Sequence, residues 1–271
     1  NAIPLIDPSV QVVLCAGACL SVFLMRSRAV SGVIFLATLV PGCLLGAVAA
    51  LGVLIHRVPI DYRLNLRMPA GEFYLGVDPL SAFFLLTITI LFLSAGVYGY
   101  GYLKNDEGRN LSAHYALYHA ALISLMLVVT AKNAVLFLAA WELMALSSYF
   151  LITFYDEKES VRKAGYLYLI VTHTGTFCLW TMFLLMTRQS GSMNFDQMAL
   201  ASFPLPLAGV LFVLAVFGFG VKAGFIPLHI WLPHAHPAAP SHVSAVLSGV
   251  FIKTGIYGLM RIILIIKDLP E

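Results

Sequence analysis

GFGVKAGFIPLHIWLPHAHPAAPSHVSAVLSGVFIKTG, running from Gly218 to Gly255, sets two lysines, Lys222 and Lys253, inside otherwise apolar sequence. A Pro- and His-rich connection lies between them. Pro227 has no N–H to donate to the carbonyl of Ala223, so a helix carrying Lys222 is expected to break just past that lysine. Gly220 and Gly224, on either side of Lys222, belong to the same weak point. A charge beside freed backbone at membrane depth marks an ion path more often than a packing choice.

The rest of the chain supplies the membrane. Of its 271 residues 60% are apolar and 11% charged, with a mean hydropathy of +0.90. Soluble domains carry about 45–50% apolar and roughly 25% charged residues, so the composition excludes a soluble globular domain. The net charge of +3 is spread over connecting loops, and no basic run points to nucleic acid. Cys15, Cys19, Cys43 and Cys178 lie in apolar segments without CxxC spacing, which reads as four small hydrophobes and no redox centre or cofactor held by this chain. The sequence opens at Asn1 without an initiator Met or a basic leader, which favours a piece of a longer protein.

Eight spans, each near the ~20 apolar residues a bilayer needs, are expected: 9–25, 29–55 with a kink at Pro41, 79–98, 113–130, 134–155, 164–187, 205–232 and 243–266. After the second, Tyr62 to Met68 alternates polar and apolar, Pro69-Ala70-Gly71 turns, and Phe73, Leu75 and Val77 alternate again. That pattern predicts a short extramembrane β-hairpin, read as a structural lid. Asp78 followed by Pro79 predicts a capped helix start. The fold class is therefore an all-α membrane protein of about eight spans, one of them broken, with one hairpin. The loops carrying Arg26, Arg28, Lys104, Arg109, Lys158, Arg162 and Lys163 outweigh the opposite set by a thin margin, which places the N-terminus outside.

Three charges fall in mid-span: Glu142 in the fifth, Lys222 in the seventh and Lys253 in the eighth. Each costs about 2.5–3.5 kcal/mol on insertion scales. A structural ion pair accounts for two of them and leaves the third unpaired. Burial disfavours charge on either a carboxyl or an amine, and mutual proximity restores it. A Glu and a Lys in one apolar cavity are thus switched by moving together or apart. Glu142, Lys222 and Lys253 are the candidate proton relay. His229, at the end of the broken helix, and His173, flanked by Thr172 and Thr174, are candidate members. Arg261 lies nearer a helix end, where it can snorkel. His114 and His119 read as interfacial. His234, His236 and His242 surround the Pro-rich turn with loose spacing and no Cys or carboxylate, so no metal site is expected.

Three ordered segments carry a family resemblance: WELMALSSYFLI around Glu142, VKAGFIPLHIWLPHAH from Val221, and APSHVSAVLSGVFIKTGIYG from Ala239. They resemble the antiporter-like proton-translocating membrane subunits of respiratory complex I, Mrp-type cation/proton antiporters and membrane-bound hydrogenases. GVDPLSAFFLL from Gly76 is similar to the third span of that family. The last segment and His234 lean towards the hydrogenase-4 or formate-hydrogenlyase membrane subunit. The resemblance implies that Glu142, Lys222 and Lys253 stand at the family's fifth-span glutamate, broken-helix lysine and eighth-span lysine. It further implies a multi-pass protein of the cell inner membrane, in lipid, with other membrane subunits and a peripheral redox module as partners. The implied role is a non-redox subunit of an oxidoreductase complex.

Family members are built from two inverted repeats. Here 1–112 reads as a three-helix region with the hairpin and 113–271 as the first repeat, with the second absent. A fragment of a longer chain is favoured over a split subunit; a lone first repeat has an input side without a complete path. Two other readings remain open: a subunit of an independent cation/proton antiporter, and a structural anchor whose charges serve assembly alone.

Overall fold

The computed structural model of the protein describes residues 28–68, 71–104 and 109–266, with Cys15, Ala16 and Cys19. The expected first span, 9–25, lies outside these residues apart from those three positions. Seven helices among the described residues are long and apolar enough to cross a membrane. In chain order the elements are α1 (Arg28–His56), β1 (Ile60–Met68), β2 (Gly71–Val77), α2 (Pro79–Leu103), α3 (Leu111–Thr130), α4 (Ala134–Ile152), α5 (Glu159–Ser190), the short α6 (Phe195–Ala199), α7 (Leu205–Ala223), the short α8 (Leu232–Ala238), α9 (Ser241–Val246), a π-helical turn (Leu247–Phe251) and α10 (Ile252–Ile266).

Local chemistry sets most of these limits. Asp78 accepts the Ser81 N–H at 2.9 Å and Pro79 opens α2. Asn110 caps α3 through the Ala113 N–H, and Asn133 caps α4 through Val135 and Leu136. Gly191, at φ 73°, closes α5 in the left-handed conformation. Helix α1 runs unbroken through Pro41. The expected hairpin forms, β1 pairing antiparallel with β2 from Ile60–Val77 to Met68–Gly71. It is stitched to the α3–α4 connection, where Lys132 N–H donates to the Tyr74 carbonyl at 3.0 Å.

The sequence pattern places the seventh span at 205–232, but α7 stops at Ala223. Gly224 ends it at φ 75°, ψ 36°, a conformation costly for any residue with a Cβ. Its N–H, and then that of Phe225 at 2.9 Å, return to the Gly220 carbonyl. A Cβ on Gly220 would stand 2.9 Å from the Phe225 ring, so this glycine lets the following segment fold back. Pro227, after a cis peptide, lies within the turns from Ile226 that lead to α8. The break is therefore made first by Gly224 and then enforced by Pro227.

Helix α3 forms the middle of the bundle, with no exposed residue along its length. It packs on α1, α2 and α4, while α5 and α10 flank α7 and α9 lies on α2. Along α5 the residues Tyr168, Thr172, Gly175 and Leu179 form the buried stripe, and Ile170, Phe177 and Leu184 the outward apolar one. A Cβ on Gly175 would meet the Gly218 carbonyl at 2.9 Å. Bare backbones thus bring α5 and α7 together just below the break.

At the hairpin end, one carboxylate clamps three elements. Asp78 accepts from Lys132 Nζ at 2.6 Å and from both terminal nitrogens of Arg261, whose Nη2 also reaches Ser81 Oγ and Tyr257 Oη. Arg261 does not snorkel; it is 9% exposed. Burial works against the Asp78 charge, but the bonds and charge of Arg261, then of Lys132, hold its carboxyl well below the usual range. Burial and the adjacent Arg261 push the Lys132 ammonium down despite Asp78; Arg261 gives the carboxylate two bonds and Lys132 one.

Candidate functional site

Lys222 sits in the last turn of α7, 2% exposed. Its ammonium donates to Tyr168 Oη at 2.6 Å and lies 4.9 Å from the Tyr168 ring and 5.6 Å from that of Phe251. Tyr168 Oη in turn shares a short hydrogen bond with Ser148 Oγ, and Ser148 donates to the Met144 carbonyl at 2.6 Å. The break serves this arrangement directly. With Phe225 N–H diverted to Gly220, the Val221 carbonyl takes the Trp231 indole N–H at 2.8 Å. Trp231 then stacks edge-on against Tyr168 at 5.0 Å, sealing the lysine's neighbour from the far side.

Glu142, on α4, is partly exposed and lies 3.2 Å from His173 Nε2 on α5. His173 Nδ1 contacts its own Leu169 carbonyl at 2.9 Å, an acceptor that requires a proton on Nδ1. With that nitrogen a donor, a neutral ring offers Glu142 only a lone pair. The 3.2 Å contact is thus a hydrogen bond only when a proton lies between imidazole and carboxyl. Thr172 and Thr174 do not contribute; their hydroxyls return to the Tyr168 and Ile170 carbonyls.

No ion pair joins Glu142 to Lys222 among the described residues. The two charges are held in separate couples, Glu142–His173 and Lys222–Tyr168, and both second members come from α5. Lys253 belongs to neither. It is exposed at the start of α10, donating at 3.3 Å to the Ser248 carbonyl inside the π turn, and it lines a groove of about 320 Å³ with Phe83, Phe84, Thr87 and Ile88. His229, after the break, has a buried Nδ1 with no partner among the described residues.

Two features escape a reading of the sequence. Tyr168 was detectable only as a polar member of the buried stripe with Gly165, Thr172 and Gly175. His114 and His119 are buried within the protein, His119 between Thr38 Oγ1 at 3.1 Å and the Tyr115 carbonyl at 3.0 Å, and His114 against His242. No cluster of three or more His, Cys, Asp or Glu able to hold a metal occurs among the described residues.

Comparison with known proteins accords with this architecture. Residues 131–270, just over half of the chain, match the family model described as NADH:quinone oxidoreductase/Mrp antiporter, TM. Hydrogenase-4 component B of Escherichia coli is 41% identical over 192 residues, which cover 71% of this chain and 28% of that protein. Among solved structures, a chain of the membrane-bound sulfane sulfur reductase, an archaeal respiratory membrane complex, superposes with a TM-score of 0.86 at 19% identity, over 97% of this chain and 54% of the other. The Mrp complex from Dietzia sp. superposes at 0.81 with 24% identity, over 97% and 29%. The two structural matches speak for the fold. The chain spans less than a third of the hydrogenase-4 relative. Seven apolar helices and the family match make it a multi-pass membrane protein, and the chain belongs to the NADH:quinone oxidoreductase/Mrp antiporter transmembrane family.

Proposed function

We propose that the chain is the proton-handling part of a membrane subunit in a redox-driven complex of the hydrogenase or NADH:quinone oxidoreductase type, in the cell inner membrane. Other membrane subunits and a peripheral redox module are its partners. Residues 113–271 act as one antiporter-like repeat on the scaffold of 1–112. The observation that carries the reading is the buried Lys222, held by Tyr168 of α5 at the end of a broken helix, with His173 of the same helix α5 set against Glu142.

The chemistry of the side chains supports a role for each couple. Charged Lys222 donates to Tyr168 Oη, which directs the phenol proton to Ser148 and the Ser148 proton to the Met144 carbonyl. When Lys222 gives up its proton, its amine becomes an acceptor and the phenol turns to donate to it. Glu142 and His173, 3.2 Å apart, are placed to pass a proton from one to the other. Lys253, exposed in an apolar groove at membrane depth, is the onward site and is covered in the assembled subunit by further protein.

Glu142→Gln and Lys222→Ala are expected to assemble normally and to lose coupled proton movement, measured with an entrapped pH dye in liposomes. Normal pumping in both would sink the transport reading and leave the anchor. The likeness to the Mrp complex keeps a second reading, a multisubunit cation/proton antiporter. Sodium-dependent exchange by a complex lacking hydrogenase or quinone-reductase subunits would favour it.

A further inference from the structure

His114 and His242, from α3 and α9, face each other with Nε2 to Nε2 at 2.7 Å. Both rings are buried, at 3% and 2% exposure, and the remaining nitrogen of each, Nδ1, has no partner among the described residues. His119, one turn along α3, is the internal contrast: both its nitrogens are satisfied. A nitrogen–nitrogen hydrogen bond needs one donor and one acceptor. With neutral rings, one histidine is protonated on Nε2 and leaves a bare Nδ1, while the other accepts on Nε2 and leaves an unbonded Nδ1–H. The dyad therefore presents one buried acceptor and one buried donor. A buried donor or acceptor left without a partner is destabilising, an arrangement poorly suited to a purely structural pair.

Its place in the fold adds a route. Ser241 and Tyr102 line an open cavity of about 550 Å³, together with Tyr155, Lys158, Ser160 and His234, at the end of the bundle that carries Lys104, Arg109 and Lys163. His242 directly follows Ser241, and its ring lies 5.9 Å from that of Tyr102. The α2 backbone at Gly99 leaves room for the imidazole, since a Cβ there would stand 2.7 Å from it. The other groups facing the dyad are Tyr118, 6.0 Å from His242, and Tyr115 and Phe154, 6.3 and 4.5 Å from His114. Beyond Phe154 comes Arg109, with its guanidinium 5.1 Å from that ring.

We propose that His114 and His242 form a proton-entry station that passes protons from this cavity into the bundle. A proton binds the bare Nδ1 of one ring. That ring's Nε2–H crosses the 2.7 Å bond to its partner's Nε2, and the partner's Nδ1–H departs. One proton enters and one leaves, and the two rings exchange tautomers; each ring regains its starting tautomer by trading protons with water on its own side while the pair is apart. The inference rests on the proton-translocating reading above and adds an intake outside the Glu142, Lys222 and Lys253 set.

Glutamine supplies an amide that can still bond the facing Nε2, but it cannot carry a proton from one ring nitrogen to the other. In the native complex in liposomes, His114→Gln and His242→Gln are expected to assemble as wild type while coupled proton movement falls roughly tenfold or more. Wild-type movement in both would overturn the station. Glu142→Gln and Lys222→Ala run beside them separate the two claims: if those abolish movement while the glutamine variants pump, the station alone falls, and if all four pump, the underlying reading falls with it. Should a glutamine variant fail to assemble, deuterium exchange of the wild-type complex followed by 15N spectra of labelled histidine decides. Rapid exchange of the shared Nε2 proton supports the station, and protection equal to that of the α3 backbone overturns it.

Discussion

A lysine 2% exposed inside a membrane bundle keeps its proton only while something accepts its hydrogen bonds. Tyr168 is that acceptor, so Tyr168→Phe is expected to leave Lys222 buried without its 2.6 Å partner. The cost should be about 1–3 kcal/mol in thermal unfolding of the detergent-solubilised complex, with coupled proton movement reduced at least severalfold. An unchanged Tm and full pumping would remove Tyr168 from the site. At the opposite end, the Asp78 carboxylate carries Lys132 and Arg261 at once. Asp78→Asn should cost about 3 kcal/mol, because it leaves buried cations without their anion. The folded-state pKa of Asp78 is depressed, so its contribution is complete above the unfolded value near 4 and declines as pH falls through the lower, folded one. Wild type should therefore lose stability on acidification below about pH 4, and Asp78→Asn should lose less of it. At this scale the sequence was half legible. The charges announced themselves because apolar surroundings make them costly. Their partners did not, because Tyr168 and His173 lie 54 and 31 residues from the charges they serve, and no spacing rule spans such separations. Glu142 pointed to Lys222 only because it was the single mid-span acid in view; a neighbouring imidazole satisfies a carboxyl equally well.

Elements were more legible than contacts, since hydropathy and caps act locally. The hairpin, the Asp78–Pro79 start and the break after Lys222 all followed from residues within one or two turns. What the pattern misplaced was the far side of the break, because the turns after Gly224 are as apolar as a helix. The left-handed Gly224 is the residue to test. Gly224→Ala should cost about 1–2 kcal/mol from backbone conformation alone, and its Cβ would also stand 2.4 Å from Leu232 Cδ1. Asn tolerates that conformation better than Ala, so the backbone term predicts that Gly224→Asn retains more stability and more pumping than Gly224→Ala. The reverse order would show that room beside Leu232, rather than the turn, is what the glycine provides. The meeting of α5 and α7 at Gly175 and Gly218 was unreadable in advance, as small residues serve lipid-facing helices and tight crossings alike.

For the molecule as a whole, the Glu142–His173 and Lys222–Tyr168 couples both lean on α5, and the two ends of the bundle differ: a hairpin with the Asp78 clamp at one, an open cavity beside the His114–His242 dyad at the other. The small excess of lysine and arginine predicts that the cavity end faces the cytoplasm. In a background with the four native cysteines replaced, Lys158→Cys should react with an impermeant thiol reagent from the cytoplasmic side and Arg63→Cys from the opposite side; the inverse would reverse the orientation and with it the direction of proton intake. One feature has to reconcile the two ends. The final span carries His242 near one face of the membrane and Arg261 near the other, each fixed by a partner, and the π turn between them holds one residue more than a regular helix would. That surplus residue works as slack in a line tied at both ends. Shortening the chain by one position inside Leu247–Phe251 should let the span tighten into an ordinary helix with both moorings kept, at the expense of the carbonyl that holds Lys253. The same shortening between Ile256 and Leu259 should swing Arg261 about 100° away from Asp78. A deletion scan read by complex assembly would therefore show one tolerant window in an otherwise intolerant helix, and that window would lie beside the lysine.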